Sequence, residues 1–241
     1  MLEIIRMTIV VPYFLLVSFV ALICACIRPF DSFGSTVMGR LVGFGSLKIL
    51  NIDFELRGKE NLYKERPVVF ISNHQHNMDL FTIGNILPSR TVSIGKKSLK
   101  WIPFFGQLYW LGGNILIDRS NRWRAIASMN KAYETMKEKN ISIWIMPEGT
   151  RSKGRGILPF KKGAFHTAIS SGRPLTIVCV SQYHKAINFN RWKTGKVIIE
   201  VLEPIPTDKL TKENVKDLKD KCEKLMREKV AMLDKEVEVK S

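Results

Sequence analysis

The sequence predicts an α/β fold: a mixed, largely parallel sheet flanked by helices, preceded by an N-terminal membrane-anchoring helical segment. Three observations lead there. From Ile52 onward short β-rich runs alternate with helical stretches, the pattern of strands whose helices pack on the sheet faces. An uncharged apolar stretch precedes them, from Met7 to Ile27. No internal repeat and no glycine- or serine-rich linker divides the 241 residues, a length that one core can serve. Residues 1–50 are read as the anchor and 51–241 as one folded domain.

The elements follow in order. "MTIVVPYFLLVSFVALICACI", 7–27, is bracketed by Arg6 and Arg28. As a helix rising about 1.5 Å per residue it reaches roughly 31 Å, a hydrocarbon thickness. A cleaved signal would have a shorter apolar stretch and a small-residue cleavage site before Arg28. Pro12 lies in the early turns, where a kink is tolerated, and the segment can cross a bilayer or enter it partway. "STVMGRLVGFGSLKIL", 35–50, is apolar but carries Arg40 and Lys48, as an amphipathic helix at the interface would.

Strands are expected at 52–56, 68–72, 91–94, 114–117, 141–146, 174–180 and 197–202, where β-branched and aromatic residues gather. Helices are expected at three further places. Between Asn121 and Lys139, Trp123, Ile126, Tyr133 and Met136 fall near one face. "KKGAFHTAISSG" reads as a helix stopped by Gly172. In the tail, Val215, Leu218, Cys222, Leu225, Met226 and Leu233 form a stripe among alternating charges. The apolar run "KWIPFFGQLYWLGG", 100–113, suits a lipid-facing surface, an acyl groove or plain core.

The formal net charge of +16 is uneven. Residues 90–162 hold fifteen Lys or Arg against four acids. Such an excess suits anionic lipid and phosphorylated ligands. No nucleic-acid-binding motif accompanies it, so nucleic acid is not an expected partner. Positive charge is denser after the first segment than before it, which favours a cytoplasmic domain. The four cysteines show no zinc or CxxC spacing, fitting a reducing compartment. No metal or cofactor is expected.

Two of the four histidines stand in "VVFISNHQHNMD", 68–79, where a buried strand gives out. Ligand sites in open α/β sheets lie beyond the strands' carboxyl ends. On a regular helix, positions five apart diverge by roughly 140°, so His74 and Asp79 meet only across a turn, with Asn77 as N-cap of the helix that follows. An aspartate on Nδ1 would fix the tautomer and leave Nε2 to take a proton. A polar capping cluster uses the same residues, and chemistry alone does not choose between His74 and His76. No G-x-S-x-G elbow is present, which favours attack by a substrate hydroxyl over a covalent enzyme intermediate. A second turn, "WIMPEGTRSKGRG" (144–156), sets Gly149, Thr150 and Arg151 after a strand, a combination suited to phosphate. "GNILIDRSNR", 113–122, ends a strand with Arg119 in the same way.

Together these stretches resemble the glycerolipid acyltransferase family of bacterial 1-acyl-sn-glycerol-3-phosphate acyltransferases. Its Asn-His-x-x-x-x-Asp block matches Asn73 to Asp79 in full. Its second block resembles Gly113 to Arg119. The third resembles Met146 to Ser152, with Met146 in place of phenylalanine. The fourth resembles Pro174 to Val180, with Thr176-Ile177 where the family has a second proline. The resemblance implies an O-acyltransferase whose catalytic domain is 51–241. In it His74 is the general base and Asp79 its orienting partner. Asn73, Lys96, Arg119, Glu148, Gly149, Thr150 and Arg151 bind substrate, with Arg119, Glu148, Gly149 and Arg151 at the acceptor's phosphate. Glu148, being anionic, would position Arg151 or a backbone amide. Lys96, Lys97 and backbone amides are candidate oxyanion donors, and His76 is a neighbour. The implied acceptor is lysophosphatidic acid and the donor acyl-CoA or acyl-carrier protein. The implied location is the cytoplasmic face of the inner membrane, on anionic lipid. Other acceptors (another lysolipid, glycerol 3-phosphate, a lyso-ornithine lipid) and simple thioester hydrolysis would use the same chemistry.

Overall fold

The computed structural model describes residues 1–118 and 133–238. Two helices open the chain, α1 (Leu2–Ile27) and α2 (Ser32–Ile49). Then follow β1 (Ile52–Arg57), β2 (Val69–Ser72), α3 (Asp79–Ile86), β3 (Thr91–Lys96), α4 (Phe105–Leu111) and β4 (Ile115–Ile117). The second half holds β5 (Ser142–Ile145), α5 (Gly163–Ser171), β6 (Leu175–Val180), α6 (Tyr183–Ala186), β7 (Gly195–Val201) and α7 (Val215–Glu238). Residues 133–139 are also helical; the rest of the helix expected from Asn121 lies outside the described residues.

All seven expected strands are present in one sheet, ordered β1-β7-β6-β2-β5-β3-β4. From β6 to β4 every pairing is parallel. β7 runs antiparallel to β6 and carries β1 parallel beside it. The central strands are buried on both faces, as parallel strands require. Val69 and Ile71 of β2 join Ile143, Ile145 and Ile177 in a core under α5 and α7. Phe70, one residue out of phase, points the other way and stacks on Trp144 at 5.0 Å. That second core includes Val178, Ile199, Leu47, Leu50 and Ile83, and so joins the sheet to α2 and α3. α5 stops at Gly172, φ 58°, as expected of a left-handed C-terminal glycine.

α1 and α2 pack onto this frame. α1 lies against α2 and α4, sharing a small core of Val17, Ala21, Ala25, Met38, Val42, Phe105 and Leu108. α2 crosses α3 so closely that a Cβ on Gly43 would sit 2.5 Å from the Phe81 carbonyl and 2.6 Å from Asn85 Cα. Because backbone rather than flexible side chain fills that space, Gly43→Ala forces the helices apart, a loss of about 1–3 kcal/mol. A thermal unfolding midpoint unchanged by the substitution would contradict the packing.

Arg6 departs from the expected flank of a membrane segment. It is 6% exposed and donates to three carbonyls before β7: Phe189 (2.7 Å), Arg191 (2.8 Å) and Trp192 (2.6 Å). The start of α1 is thereby fastened to the body. The opposite flank of α1 is apolar and exposed through Ile5, Ile9, Leu16, Phe19, Val20, Ile23 and Ile27. Two edge-on aromatic contacts reach residues around α4, Phe19–Phe104 from α1 itself and Phe30–Trp110 from the turn that follows it. The 100–113 run therefore divides: Trp101, Phe104 and Trp110 face outward, and Phe105 and Leu108 face the core.

Candidate active site

At the end of β2 the chain leaves the sheet with its side chains alternating. Asn73 turns inward, 1% exposed. Its Nδ2 donates to the Val180 carbonyl (2.8 Å) and its Oδ1 accepts from the Val180 N–H (2.9 Å). This continues the β2–β6 pairing one step by side chain. Expected at the substrate, Asn73 is instead a buried fastening, because both polar atoms of its side chain serve Val180. Gln75 does the same one step on, donating to the carbonyls of Val180 (3.1 Å) and Ser181 (3.0 Å) and accepting from Tyr183 N–H (3.1 Å).

His74, between these two, faces the open edge. Its side chain is 19% exposed and its Nδ1 lies 2.6 Å from Asp79 Oδ2. The turn between them is the one the spacing demanded. Asp79 opens α3 and is buried. Its Oδ2 also accepts from the backbone N–H groups of Gln75 (2.8 Å) and His76 (3.2 Å), and its Oδ1 accepts from the Tyr183 hydroxyl (2.8 Å). Four hydrogen-bonding partners on one buried carboxylate fix its direction. Geometry therefore selects His74; His76 contributes its amide and leaves its ring exposed. Asn77 is not the N-cap. α3 begins after Met78 without a side-chain cap, since Asp79 itself receives the amides of the turn, and Asn77 Oδ1 accepts instead from the Arg151 guanidinium.

The loop after β5 is built against the same turn. Gly149 has φ 69°, a left-handed backbone that favours glycine; the Lys161 side-chain end 2.9 Å from a Cβ there could move aside, so the backbone rather than the space calls for glycine. Glu148 is 2% exposed. It accepts from His74 N–H (2.6 Å) and Leu158 N–H (2.8 Å). Of its two expected partners, Arg151 or a backbone amide, it takes amides. Burial pushes its pKa up, and those two amides pull it back. Ser152 N–H donates to the His74 carbonyl (2.8 Å) and Lys153 N–H to the Gln75 carbonyl (3.1 Å). The backbone of His74 is therefore held on both sides by the Glu148–Lys153 loop.

Topology gathers the remaining candidates. Because β6, β2, β5, β3 and β4 are parallel neighbours, their carboxyl ends share one edge. Thr150 and Arg151 are exposed there, and so are Lys96, the last residue of β3, and Lys97. Lys96 is two strands from β2, about 10 Å at ordinary strand spacing. Arg119 lies outside the described residues. Beside the dyad, toward β6, an open pocket of about 540 Å³ is walled by His76, Met78, Arg151, Lys153, His184 and Phe189 among others.

A family model described as Acyltransferase matches residues 53–181, which takes in both loops. The chain is 48% identical to the 1-acyl-sn-glycerol-3-phosphate acyltransferase of Haemophilus influenzae, covering 83% of this chain and 81% of that one. It is 45% identical to the Escherichia coli enzyme of the same name, covering 98% and 96%. The chain belongs to the acyltransferase family. The crystal structure of the 1-acyl-sn-glycerophosphate acyltransferase of Thermotoga maritima shares the fold, with a TM-score of 0.73 at 24% identity and 96% of this chain covered.

Among the described hydrogen bonds, no serine or cysteine side chain meets the His74–Asp79 pair of this acyltransferase. Burial pushes the Cys179 thiol far above its ordinary range and that of Cys222 up to about 12, so neither supplies a thiolate. Two residues of the site, Gln75 and Tyr183, were absent from the sequence reading. Gln75 lay within the motif, where an inward polar residue alternating with His74 was the available signal. Tyr183 follows a strand end on the same edge, and nothing in its own neighbourhood marks it.

Proposed function

We propose that this acyltransferase moves an acyl group from an acyl thioester, acyl-CoA or acyl-carrier protein, to the sn-2 hydroxyl of 1-acyl-sn-glycerol 3-phosphate, giving phosphatidic acid. The observation that carries the reading is the His74–Asp79 pair at 2.6 Å, tied through its own backbone to the loop bearing Arg151. His74 Nε2 takes the hydroxyl proton as the oxygen attacks the thioester carbonyl. The C–S bond breaks as the tetrahedral oxyanion collapses, and the imidazolium returns its proton to the leaving thiolate. Lys96 and Lys97, at the cationic end of β3, are the side-chain candidates for meeting the oxyanion.

The acceptor's phosphate is assigned to Arg151, whose planar fork suits three phosphate oxygens. Thr150 stands beside it, and Glu148 and Gly149 shape the loop. Arg119 is assigned to the same anionic headgroup. The membrane seat is the exposed apolar flank of α1 with Trp101, Phe104 and Trp110, lying in one leaflet. Arg6, held in the body, argues for a helix laid along the surface rather than threaded alone through the bilayer. The surrounding cations then meet anionic headgroups on the cytoplasmic side.

The test is purified protein with lysophosphatidate and each donor, following free thiol and phosphatidate together. Thiol released without phosphatidate, or equal rates with glycerol 3-phosphate, would overturn the reading. Arg151→Ala is expected to raise the apparent KM for the acceptor roughly 10- to 10²-fold with the donor KM unchanged, as loss of a charged hydrogen-bonding partner predicts. An unchanged acceptor KM would remove Arg151 from the phosphate.

A further inference from the structure

We propose that Tyr183 is a positioning residue for acyl transfer, its hydroxyl fixing the Asp79 carboxylate so that Oδ2 meets His74 Nδ1. The proposal rests on the acyl-transfer reading above.

The phenol is sealed in. Tyr183 is 5% exposed, and its oxygen lies 2.8 Å from Asp79 Oδ1 and 2.7 Å from Thr82 Oγ1. Its single proton is committed to the carboxylate, so the Thr82 hydroxyl donates to the phenol oxygen. Burial and the neighbouring Asp79 raise the Tyr183 pKa well above its ordinary value, keeping it a donor throughout any assay range.

Its backbone completes a closed circuit. Tyr183 N–H donates to Gln75 Oε1 at 3.1 Å, and Gln75 N–H donates to Asp79 Oδ2 at 2.8 Å. Asp79 is thus gripped from both oxygens by residues that also hold each other. Three donors on Oδ2 set where that oxygen sits. One donor on Oδ1 sets the rotation of the carboxylate plane, and Tyr183 supplies it. Loss of that donor leaves a buried oxygen unpaired and the plane free to turn, and roughly 10²-fold in rate follows from misplacements of about an ångström.

The electrostatic setting is mixed. His74 faces Asp79 across the β2 turn, Glu148 is electrostatically coupled to it from the β5 loop, and Asp234 of α7, with His184 of α6 near it, accepts from the Gln182 N–H next to Tyr183. None of these donates to Asp79 Oδ1 among the described hydrogen bonds, so none replaces the phenol.

The experiment is Tyr183→Phe in the full chain, with steady-state kinetics across pH. The expected result is a roughly 10²-fold fall in kcat with both KM values within about twofold. The acid limb of the kcat profile should move upward, because a carboxylate relieved of one donor holds the imidazolium proton more tightly. Site-specific 3-fluorotyrosine at 183, a stronger donor, should move the limb downward with the fold untouched. A kcat within twofold of wild type for Tyr183→Phe, or a limb that neither substitution moves, would overturn the proposal. If wild-type protein transfers no acyl group to lysophosphatidate, the underlying reading fails instead, and the two failures are told apart by that control.

Discussion

His74→Ala is expected to lower kcat by about 10²- to 10⁴-fold, the usual contribution of a general base, while both KM values stay within a few-fold. The loop does not need the imidazole to keep its shape. Glu148 holds the His74 N–H and Ser152 holds its carbonyl, and both bonds survive the substitution. Asp79 loses one donor but keeps the amides of Gln75 and His76 and the Tyr183 hydroxyl, so no buried carboxylate is stranded. Unfolding midpoint and vesicle flotation should match wild type. Activity retained in full would remove the base assignment, and a collapse of KM together with stability would show that the ring is structural. His76→Ala is the internal control: its exposed ring makes none of the described contacts to Asp79, and only its amide, which alanine keeps, serves the carboxylate.

The strands were legible because parallel strands buried on both faces are written as uninterrupted apolar runs. All seven were found in sequence within a few residues of their observed bounds, as were α5 with its terminal Gly172 and the α7 stripe. α4 was harder to read. Its neighbourhood is apolar on the buried side through Phe105 and Leu108 and on the exposed side through Trp101, Phe104 and Trp110, so no polar face marks the periodicity. Arg6 misled for a related reason. A cation ending an apolar stretch reads as a membrane flank, yet its three carbonyl partners lie more than 180 residues away, where no local pattern reports them. Within the site the same limit applies. His74 and Asp79 are joined by a local turn, and spacing found them. Asn73 carried the same polar signature as a ligand-binding residue, and only its pairing with Val180 reveals a fastening. Asn77 looked like a cap, but Asp79 already receives the turn's amides.

Asp79→Asn tests charge apart from shape, and its expected loss of kcat is about 10³- to 10⁴-fold, beyond that of Tyr183→Phe. The amide is isosteric and the surroundings can receive it. With its oxygen at the Oδ2 position it still accepts from His74 Nδ1 and the amides of Gln75 and His76. Its NH₂ then points to the Tyr183 oxygen, and the phenol reverses, giving its proton to Thr82 Oγ1, whose own hydrogen turns to the Met78 carbonyl at 3.3 Å. Every buried group keeps a partner, so the fold and both KM values should hold. What disappears is the negative charge that stabilises the imidazolium as His74 takes the hydroxyl proton. In the other amide orientation NH₂ faces Nδ1, the ring proton shifts to Nε2, and the nitrogen facing the hydroxyl can no longer accept. Either route disables the base without moving it. Measured kcat above about a tenth of wild type would mean that the carboxylate's charge is dispensable. The shape-only account of the dyad would then have to be preferred, and the gap between Asp79→Asn and Tyr183→Phe, charge lost against charge merely loosened, would close.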